Sequence, residues 1–382
     1  MAKKKIPWQQ SLGIIFFMCI GVFCGIVMME YLDRMEHSGI AGTQAIISLV
    51  VLFVTMYLAI FLQIVVHEAG HLVFGLMTGY RFSSFRVGSL MWMKGEGKIV
   101  LKRLNLAGTG GQCLMSPPNL EDGKMPYVLY NLGGSFLNLL SAILFALLWY
   151  LTQTVFLVPA VCAMFAIIGV AYALMNGLPM RFGTVDNDGY NALSLGKSQE
   201  ALRSFWIQMK VSEQSIEKPM AQLPAEWFVP PSDEGMQNSM TAVMGVFACN
   251  RLMAENRFSE ALALMRHYLD IDTAIVGLHR NLMLCDMIYC ELVGENHDDV
   301  VSSLLGKEQK KFMKAMRNFP TVMRTEYALV LLAQADLQKS EETEKQFEKI
   351  AKTYPYAGDI ESERELMRYA KAVAEMRKGE TV

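Results

Sequence analysis

The chain has 382 residues and carries 35 basic and 37 acidic side chains, which gives a formal net charge of −2. This near-neutral balance, without a concentrated basic stripe, argues against a nucleic-acid-binding protein. Hydrophobic residues make up 52% of the chain and gather in long blocks, a pattern typical of a membrane protein.

Four apolar blocks are each long enough to cross a hydrocarbon core, which takes about 20 helical residues. None of them contains Asp, Glu, Lys or Arg. They predict spanning helices at about residues 12–29, 43–66, 127–151 and 155–175, after a basic tail at 1–10. We interpret the first helix as retained, because its apolar stretch is longer than that of a cleaved secretory signal.

The distribution of Lys and Arg predicts the orientation of these helices. The loop at 79–126 carries seven basic and three acidic residues, whereas the connections 30–42 and 152–154 hold one arginine between them. Basic loops stay on the cytoplasmic side of the bilayer. We therefore expect a multi-pass cell-membrane protein, bacterial in origin, with its amino terminus and everything after residue 175 in the cytoplasm.

The second apolar block runs into the sequence "HEAGH", residues 67–71. On a helix, His67 and His71 share one face and can bind one metal ion, while Glu68 projects beside it. Such a glutamate can accept the proton of a water whose pKa zinc lowers to about 7. The alternative is a polar helix end reaching toward the membrane surface, but ionisable groups at membrane depth usually mark functional sites.

A catalytic zinc site needs a third protein ligand and keeps one position open. The stretch "MNGLPMRFGTVDNDGYNAL", residues 175–193, follows the fourth predicted span and reaches the same membrane face as the two histidines. Its Pro and Gly residues predict irregular backbone, which at membrane depth lines a protein cavity. Asp188 or Asp186 can therefore complete a site for Zn²⁺.

Together, HEAGH, "GGSFLN" (133–138) and "NGLP…DNDG" (176–189) resemble the core motifs of the site-2 protease family of intramembrane zinc metalloproteases. The resemblance covers about residues 43–190 and implies a membrane metalloprotease domain at 11–189. It implies zinc ligation by His67, His71 and Asp188, with Glu68 as catalytic base. It also implies that Asn138 supports catalysis near the site and that Asn176 binds substrate.

Two departures from the family pattern concern these residues. About four extra residues lie between Asn176 and Asp188, so Asp186 competes as the third ligand; we favour Asp188 because glycine follows it. The motif in the third apolar block reads GGSxxN where many members have GPxxN, which puts the local loop geometry in question more than the role of Asn138.

Residues 81–115 alternate apolar and polar side chains around "KGEG". The pattern predicts strands at 84–93 and 98–104 with Gly95 and Gly97 in the turn, and a further strand at 111–115. An open strand edge beside a metal site could hold an extended peptide by backbone pairing. A structural flap over the helices is an equally good interpretation.

The rest of the chain predicts soluble helices. Within residues 190–235 it predicts an amphipathic helix at 190–211 and a Pro-rich linker at 218–235, and residues 236–382 predict an all-α domain. Segments 310–320 and 344–355 align at a spacing of 35, with Phe319 matching Tyr354 and Pro320 matching Pro355, which resembles tetratricopeptide repeats. Such domains bind partner proteins.

The predicted fold is therefore an α-helical polytopic membrane protein with a small β-hairpin insert and a repeat-like soluble domain. Its predicted function is zinc-dependent cleavage of a membrane-embedded or membrane-proximal protein or peptide. The alternative is a membrane adaptor that binds partners through its helical repeats and keeps a residual metal site. The intact Glu68 favours the protease, because an adaptor needs no general base beside a metal.

Overall fold

A computed structural model describes residues 8–40, 42–95, 97–104, 110–182 and 185–379 of the chain. Most of the predicted basic tail, at 1–7, lies outside these residues. The described chain is mostly helical and divides into two compact units. The first unit comprises Met1–Gly88 and Leu106–Gln199, and the second comprises Ser89–Asn105 and Glu200–Val382.

The first unit is built on four long helices: α1 (Trp8–His37), α2 (Thr43–Met77), α3 (Val128–Leu151) and α4 (Val158–Gly177). The last three are long and apolar enough to cross a membrane. Helix α2 contains the span predicted at 43–66, and α3 and α4 overlap those predicted at 127–151 and 155–175, beginning one and three residues later. The span predicted at 12–29 lies within α1, where the side chains before Ile15 are outside the described part of the chain.

Helices α2 and α3 cross at very short range because glycines face each other. A Cβ atom at Gly70 would overlap the carbonyl oxygen of Gly133, and a Cβ at Gly133 would lie 2.6 Å from the carbonyl oxygen of Gly70. Small residues allow such close backbone approach between apolar helices. The crossing places the HEAGH segment of α2 against the GGSFLN segment of α3.

Four strands connect α2 and α3: β1 (Arg81–Val87), β2 (Leu90–Gly95), β3 (Lys98–Arg103) and β4 (Gly111–Ser116). They form a sheet in the order β3-β2-β1-β4, so β4 is an edge strand. The hairpin of β2 and β3 matches the prediction, with Trp92 opposite Leu101. The prediction of one strand over 84–93 was wrong: a turn at Gly88, whose φ of 58° suits glycine, separates β1 from β2.

After α4, the strands β5 (Arg181–Phe182) and β6 (Val185–Asp186) precede the short helix α5 (Asp188–Ser194), which completes the first unit's described elements. Helix α6 (Gln199–Gln214) follows and belongs almost entirely to the second unit. Residues 218–235, predicted as a linker, are packed: Leu223, Trp227 and Phe228 are buried together with residues of α6 and α7. Their aromatic side chains explain why this Pro-rich segment is held against the helices.

The remaining helices of the second unit share one hydrophobic core. They are α7 (Ser239–Ala254), α8 (Phe258–Asp270), α9 (Gly277–Val293), α10 (Asp298–Leu304), α11 (Lys307–Ala315), α12 (Pro320–Ala328), α13 (Leu337–Ala351) and α14 (Ala357–Gly379), and α12 continues as a π-helical turn over Leu329–Ala333. The aligned residues Phe319 and Tyr354 contact each other, with ring centroids 6.5 Å apart. The tetratricopeptide character stays a prediction.

A buried ionic cluster connects three helices of this core. Arg324 of α12, only 1% exposed, pairs with Asp286 of α9 and with Glu363 of α14, the latter at 2.9 Å. Its guanidinium carbon lies 4.5 Å from the ring centroid of Tyr289. We call Asp286, Arg324 and Glu363 the Arg324 cluster; in it, the chain itself supplies the cation that two buried carboxylates require.

Candidate metal centre

The two histidines of HEAGH lie near the carboxyl end of α2, and both are 8% exposed. Each ring is held through its Nδ1 atom. His71 Nδ1 lies 2.7 Å from the carbonyl oxygen of Tyr130, and His67 Nδ1 lies 2.9 Å from Asn138 Oδ1. Both partners belong to α3, so the close crossing of the two helices sets the ring orientations.

These contacts identify which nitrogen carries the proton in each neutral ring. A carbonyl oxygen can only accept, so His71 Nδ1 must donate to Tyr130. Asn138 uses Nδ2 to donate to the backbone oxygen of Gln63 at 2.9 Å, which fixes Oδ1 as the acceptor from His67. Both Nε2 atoms are therefore left with a lone pair, as in metal-binding histidines whose other ring nitrogen donates to an oxygen acceptor.

Asp188 reaches the histidines because a small hairpin returns the chain to the end of α4. Strands β5 and β6 pair Arg181 with Asp186. They therefore form a short hairpin between α4 and α5. Asn187 then accepts hydrogen bonds from the N–H groups of Met180 and Tyr190, each at 2.9 Å, and caps α5. Asp188 follows as the first residue of that helix.

Asn187 also fixes the segment that leads into the hairpin. Its Nδ2 donates to the carbonyl oxygens of Met175 at 2.8 Å and Leu178 at 2.7 Å. Gly189 packs against Gly177, where an added Cβ would overlap the carbonyl oxygen. These contacts determine where Asp188 stands relative to α4.

The three predicted ligands converge on one point. Asp188 Oδ2 lies 3.0 Å from His67 Nε2 and 3.4 Å from His71 Nε2, and the two Nε2 atoms are 3.1 Å apart. Zinc–ligand bonds of about 2.0–2.1 Å in a tetrahedron place neighbouring ligand atoms about 3.3–3.4 Å apart. His67, His71 and Asp188 thus form a group that can bind a metal ion.

The chemistry of the donor atoms supports the same conclusion. Two imidazole lone pairs and a carboxylate oxygen repel one another at these separations, and either a bound cation or a proton on one Nε2 atom relieves the repulsion. Among the described residues, neither lysine nor arginine contacts this group. A divalent metal ion satisfies all three atoms at once, although the metal's identity does not follow from the geometry.

Asp186, the competing candidate, lies elsewhere. Its Oδ1 accepts a hydrogen bond from Arg181 Nε at 2.6 Å across the β5–β6 hairpin. Asp188, not Asp186, belongs to the group that can bind a metal. An ion pair within the hairpin already compensates the charge of Asp186.

Asn138 is fully buried and bonded at both ends of its amide. Besides His67, it contacts Gln63, donating to the backbone oxygen and to Oε1 at 2.7 Å. Gln63 continues the network by donating to Ser141 Oγ at 3.1 Å. Both N–H groups of Asn138 are engaged, so the geometry favours a role in orienting His67 over one in contacting substrate.

Asn176, predicted to bind substrate, donates from Nδ2 to the carbonyl oxygen of Tyr172 at 3.1 Å, one turn earlier in α4. It lies one residue before Gly177, at the edge of the segment that carries Asp188. Its substrate-binding role stays a prediction.

Glu68 is 8% exposed and packs against the first residue of β4. A Cβ atom at Gly111 would lie 2.7 Å from Glu68 Oε1, so only glycine allows the strand to approach the carboxylate this closely. Arg86 of β1, 1% exposed, donates to the carbonyl oxygens of Gly88 at 2.7 Å and Gly111 at 3.2 Å. A buried arginine thus ties the start of β4 to β1 beside the carboxylate.

Comparisons of the chain with protein-family models, with curated proteins and with solved structures found no match. The likeness to site-2 proteases therefore depends on the motifs alone.

The structure also shows residues that the sequence analysis missed. Gly134 lies under the His67 ring, where a Cβ would overlap the imidazole, and Gly111 lies against Glu68. Gln63 precedes His67 by four residues, so its place on the same helix face could have been inferred from helical spacing. Arg86 and Asn187 gave no such signal, because their partners are distant in sequence or come from irregular backbone.

Proposed function

We propose that the chain is an intramembrane zinc endopeptidase of the site-2 protease type. One observation carries the proposal: three metal-ligand atoms, from the buried His67 and His71 and the half-buried Asp188, converge next to a buried glutamate that is not one of them. Hydrolytic zinc sites combine three protein ligands with an adjacent general base. The bound metal would polarise a carbonyl group and lower the pKa of water at the open position.

The chain's own residues would supply the remaining steps. Glu68 is placed to take a proton from the attacking water and to return it to the leaving amine, as general bases do. Asn138 and the backbone oxygen of Tyr130 hold the two imidazoles in orientation through Nδ1. Gly111 keeps the start of β4 in contact with the Glu68 side chain.

The position of β4 supports a peptide substrate. The strand pairs with β1 on one side and is the outer strand of the described sheet, so its other side can accept an extended chain. A protease needs an extended segment, because a helical peptide bond keeps its carbonyl in an internal hydrogen bond. Of the two interpretations of this sheet, the contact with Glu68 favours substrate pairing over a purely structural flap.

The proposed location is a membrane, with the metal centre near the cytoplasmic face. Helix α2 has 35 residues, and about 20 suffice to cross a bilayer. The histidines lie toward its carboxyl end, next to the basic 79–126 loop, which the distribution of charge assigns to the cytoplasm. We further propose that the helical second unit binds a partner protein or recruits substrate.

The test uses the full-length protein purified in detergent and reconstituted in lipid vesicles. Immobilised Glu68→Gln protein, which keeps the side chain's size but loses its basicity, would first be used to capture substrates. Cleavage of an identified substrate is then compared between wild type and Glu68→Gln, with zinc measured by elemental analysis. The variant should retain zinc and lose activity by roughly 10²–10⁴-fold.

Glu121→Gln is the matched control, because it makes the same chemical change at an exposed residue of the connecting loop. It should cleave at the wild-type rate. If Glu68→Gln did so as well, with zinc bound, the endopeptidase proposal would be wrong and the adaptor hypothesis would replace it.

A further inference from the structure

A cavity of about 470 Å³ lies in the first unit at the end of the helices remote from the metal centre. It is enclosed by the last turns of α1, the connection between α3 and α4, and the first turns of α4. Its lining residues include none of His67, Glu68, His71 or Asp188. The cavity is therefore separate from the proposed active site, and its volume lies within the usual range for a small-molecule site.

The lining of this cavity changes from apolar to polar along the helix axis. Val27, Ala163 and Ile167 line one end with aliphatic groups only. Toward the connection between the helices, the wall gains Glu30, Arg34, Ser38, Gln153 and Thr154. Val27 and Ser38 are about 16 Å apart along α1. An elongated amphiphile that lies parallel to the helices would match both ends.

Aromatic side chains mark the level at which the lining changes. Trp149 and Tyr31 both line the cavity, and Tyr31 is 9% exposed. Tryptophan and tyrosine concentrate at the boundary between acyl chains and headgroups. The Tyr31 oxygen is buried and makes no hydrogen bond of ordinary geometry with the described residues.

The polar end carries one charge of each sign. Arg34 Nη2 and Glu30 Oε1 form an ion pair at 2.7 Å, and Arg34 Nη1 also donates to Gln153 at 3.3 Å. Both charged side chains are more than half exposed, so they can exchange partners at little cost. A ligand that carries a phosphate and an ammonium group would pair with both.

We propose that this cavity binds a zwitterionic phospholipid, with an acyl chain between Val27 and Ile167 and the headgroup at Glu30 and Arg34. The Tyr31 hydroxyl and the Arg34 guanidinium donate to the phosphate, and the Glu30 carboxylate accepts from the ammonium group. The inference rests on the membrane location in the proposed function but not on catalysis. A peptide fits less well, because the apolar end offers no polar partner for a backbone.

The experiment is native mass spectrometry of the full-length protein in detergent, after removal of co-purified lipid. The probes are phosphatidylethanolamine, which is zwitterionic, and phosphatidylglycerol, which is anionic, with identical acyl chains. We expect one phosphatidylethanolamine bound about tenfold more tightly than phosphatidylglycerol. Arg34→Gln should weaken that binding about tenfold or more, and Tyr31→Phe about threefold to tenfold, the range for charged and neutral hydrogen bonds.

Glu30→Gln tests the charge assignment directly. It should weaken binding of phosphatidylethanolamine but not of phosphatidylglycerol, because only the first lipid offers an ammonium group. Tyr57→Phe, at a 59% exposed residue of α2 outside the cavity, and Glu36→Gln, at an exposed residue of α1, are the matched controls. Both should bind lipid like the wild type, and thermal unfolding in detergent identifies any variant that fails to fold.

Equal affinity for the two lipids, or unchanged binding in folded Arg34→Gln and Tyr31→Phe, would overturn the proposal. Binding of a short apolar peptide in place of either lipid would also overturn it and assign the cavity to substrate. None of these readouts requires cleavage, so lipid selectivity in a protein that cleaves nothing would sustain this inference while the endopeptidase proposal failed.

Discussion

The two units each bury a polar cluster, and the clusters differ in how their charges are balanced. In the second unit, Arg324 lies between Asp286 and Glu363, so the chain supplies its own cation. In the first unit, two bare imidazole nitrogens and the Asp188 carboxylate converge, and no lysine or arginine contacts them among the described residues. Buried charges persist only when they are paired or bind metals. The first cluster can thus bind a cation from outside, whereas the second already contains its own.

This difference predicts that the Arg324 cluster stabilises the fold whereas the metal centre can lose its cation without unfolding. Helices α2 and α3 are held by close glycine contacts and by the bonds of both Nδ1 atoms, which are present without a metal. In the Arg324 cluster, the two carboxylates come from α9 and α14 and meet at the guanidinium, so the compensating cation is part of the folded chain itself. The following changes test the comparison.

Removing the built-in cation should have the largest effect. Arg324→Met leaves Asp286 and Glu363 buried without compensation, which typically destabilises a protein by about 3–5 kcal/mol. Thermal and chemical unfolding of the full chain would measure the loss. Arg368→Met is the control, because Arg368 is 60% exposed and should contribute about 1 kcal/mol or less. Equal stability of Arg324→Met and wild type would show that the cluster is not a stabilising element.

Removing a ligand from the metal centre should affect metal binding more than folding. Structural sites with four ligands bind zinc with a free energy of about 10–16 kcal/mol. Losing the Asp188 ligand should therefore reduce the binding free energy by about 3–4 kcal/mol, which lowers zinc affinity about a hundredfold or more. Zinc titration of Asp188→Ala would measure this, with Asp186→Ala as the matched control. Because Asp186 pairs with Arg181, its variant should retain zinc. The reverse result would move the third ligand to Asp186.

Removing the residue that orients His67 should have a smaller effect on zinc affinity. Asn138→Ala removes the acceptor for His67 Nδ1 and leaves the three ligand atoms in place. Loss of such an outer partner lowers metal affinity about 10- to 100-fold. Zinc titration should show this decrease. Asn131→Ala is the matched control, because the Asn131 side chain donates to the carbonyl oxygen of Tyr127 at the start of the same helix. This variant should bind zinc like the wild type. Unchanged zinc affinity in Asn138→Ala would limit Asn138 to helix packing.

The smallest expected effect is on how the stability of the second unit depends on pH. Burial and the nearby Glu363 carboxylate raise the pKa of Asp359 to about 7, although a hydrogen bond with Ser215 opposes the shift. A carboxyl whose pKa is higher in the folded state binds more protons there, so its contribution to stability falls as pH rises from about 4 to 7.

Asp359→Asn should therefore raise stability at pH 8, by about 1 kcal/mol for this partly exposed residue, and flatten the dependence on pH. Unfolding curves at pH 5 and pH 8 would measure both changes. Asp272→Asn, at an exposed residue, is the control and should match the wild type. A variant as sensitive to pH as the wild type would assign the dependence to other groups.

The sequence predicted features that depend on spacing within one element. The four-residue interval between His67 and His71 fixes them on one helix face, and the apolar blocks locate α2, α3 and α4. The turn between β2 and β3 followed from its glycines. The split between β1 and β2 was missed because alternation continues through Gly88 and only its backbone angle reveals the turn.

Other features depended on how distant elements pack. The sequence already favoured Asp188 over Asp186 through the following glycine, but the reason why Asp186 is excluded came from the β5–β6 hairpin, in which Arg181 pairs with Asp186 and Asn187 bonds back to α4. The tautomers of His67 and His71 required their partners on α3, and the burial of Arg86 required the pairing of β1 with β4. Side-chain periodicity is a local property that a sequence displays directly, whereas contacts across 50 to 120 residues exist only once the helices have packed.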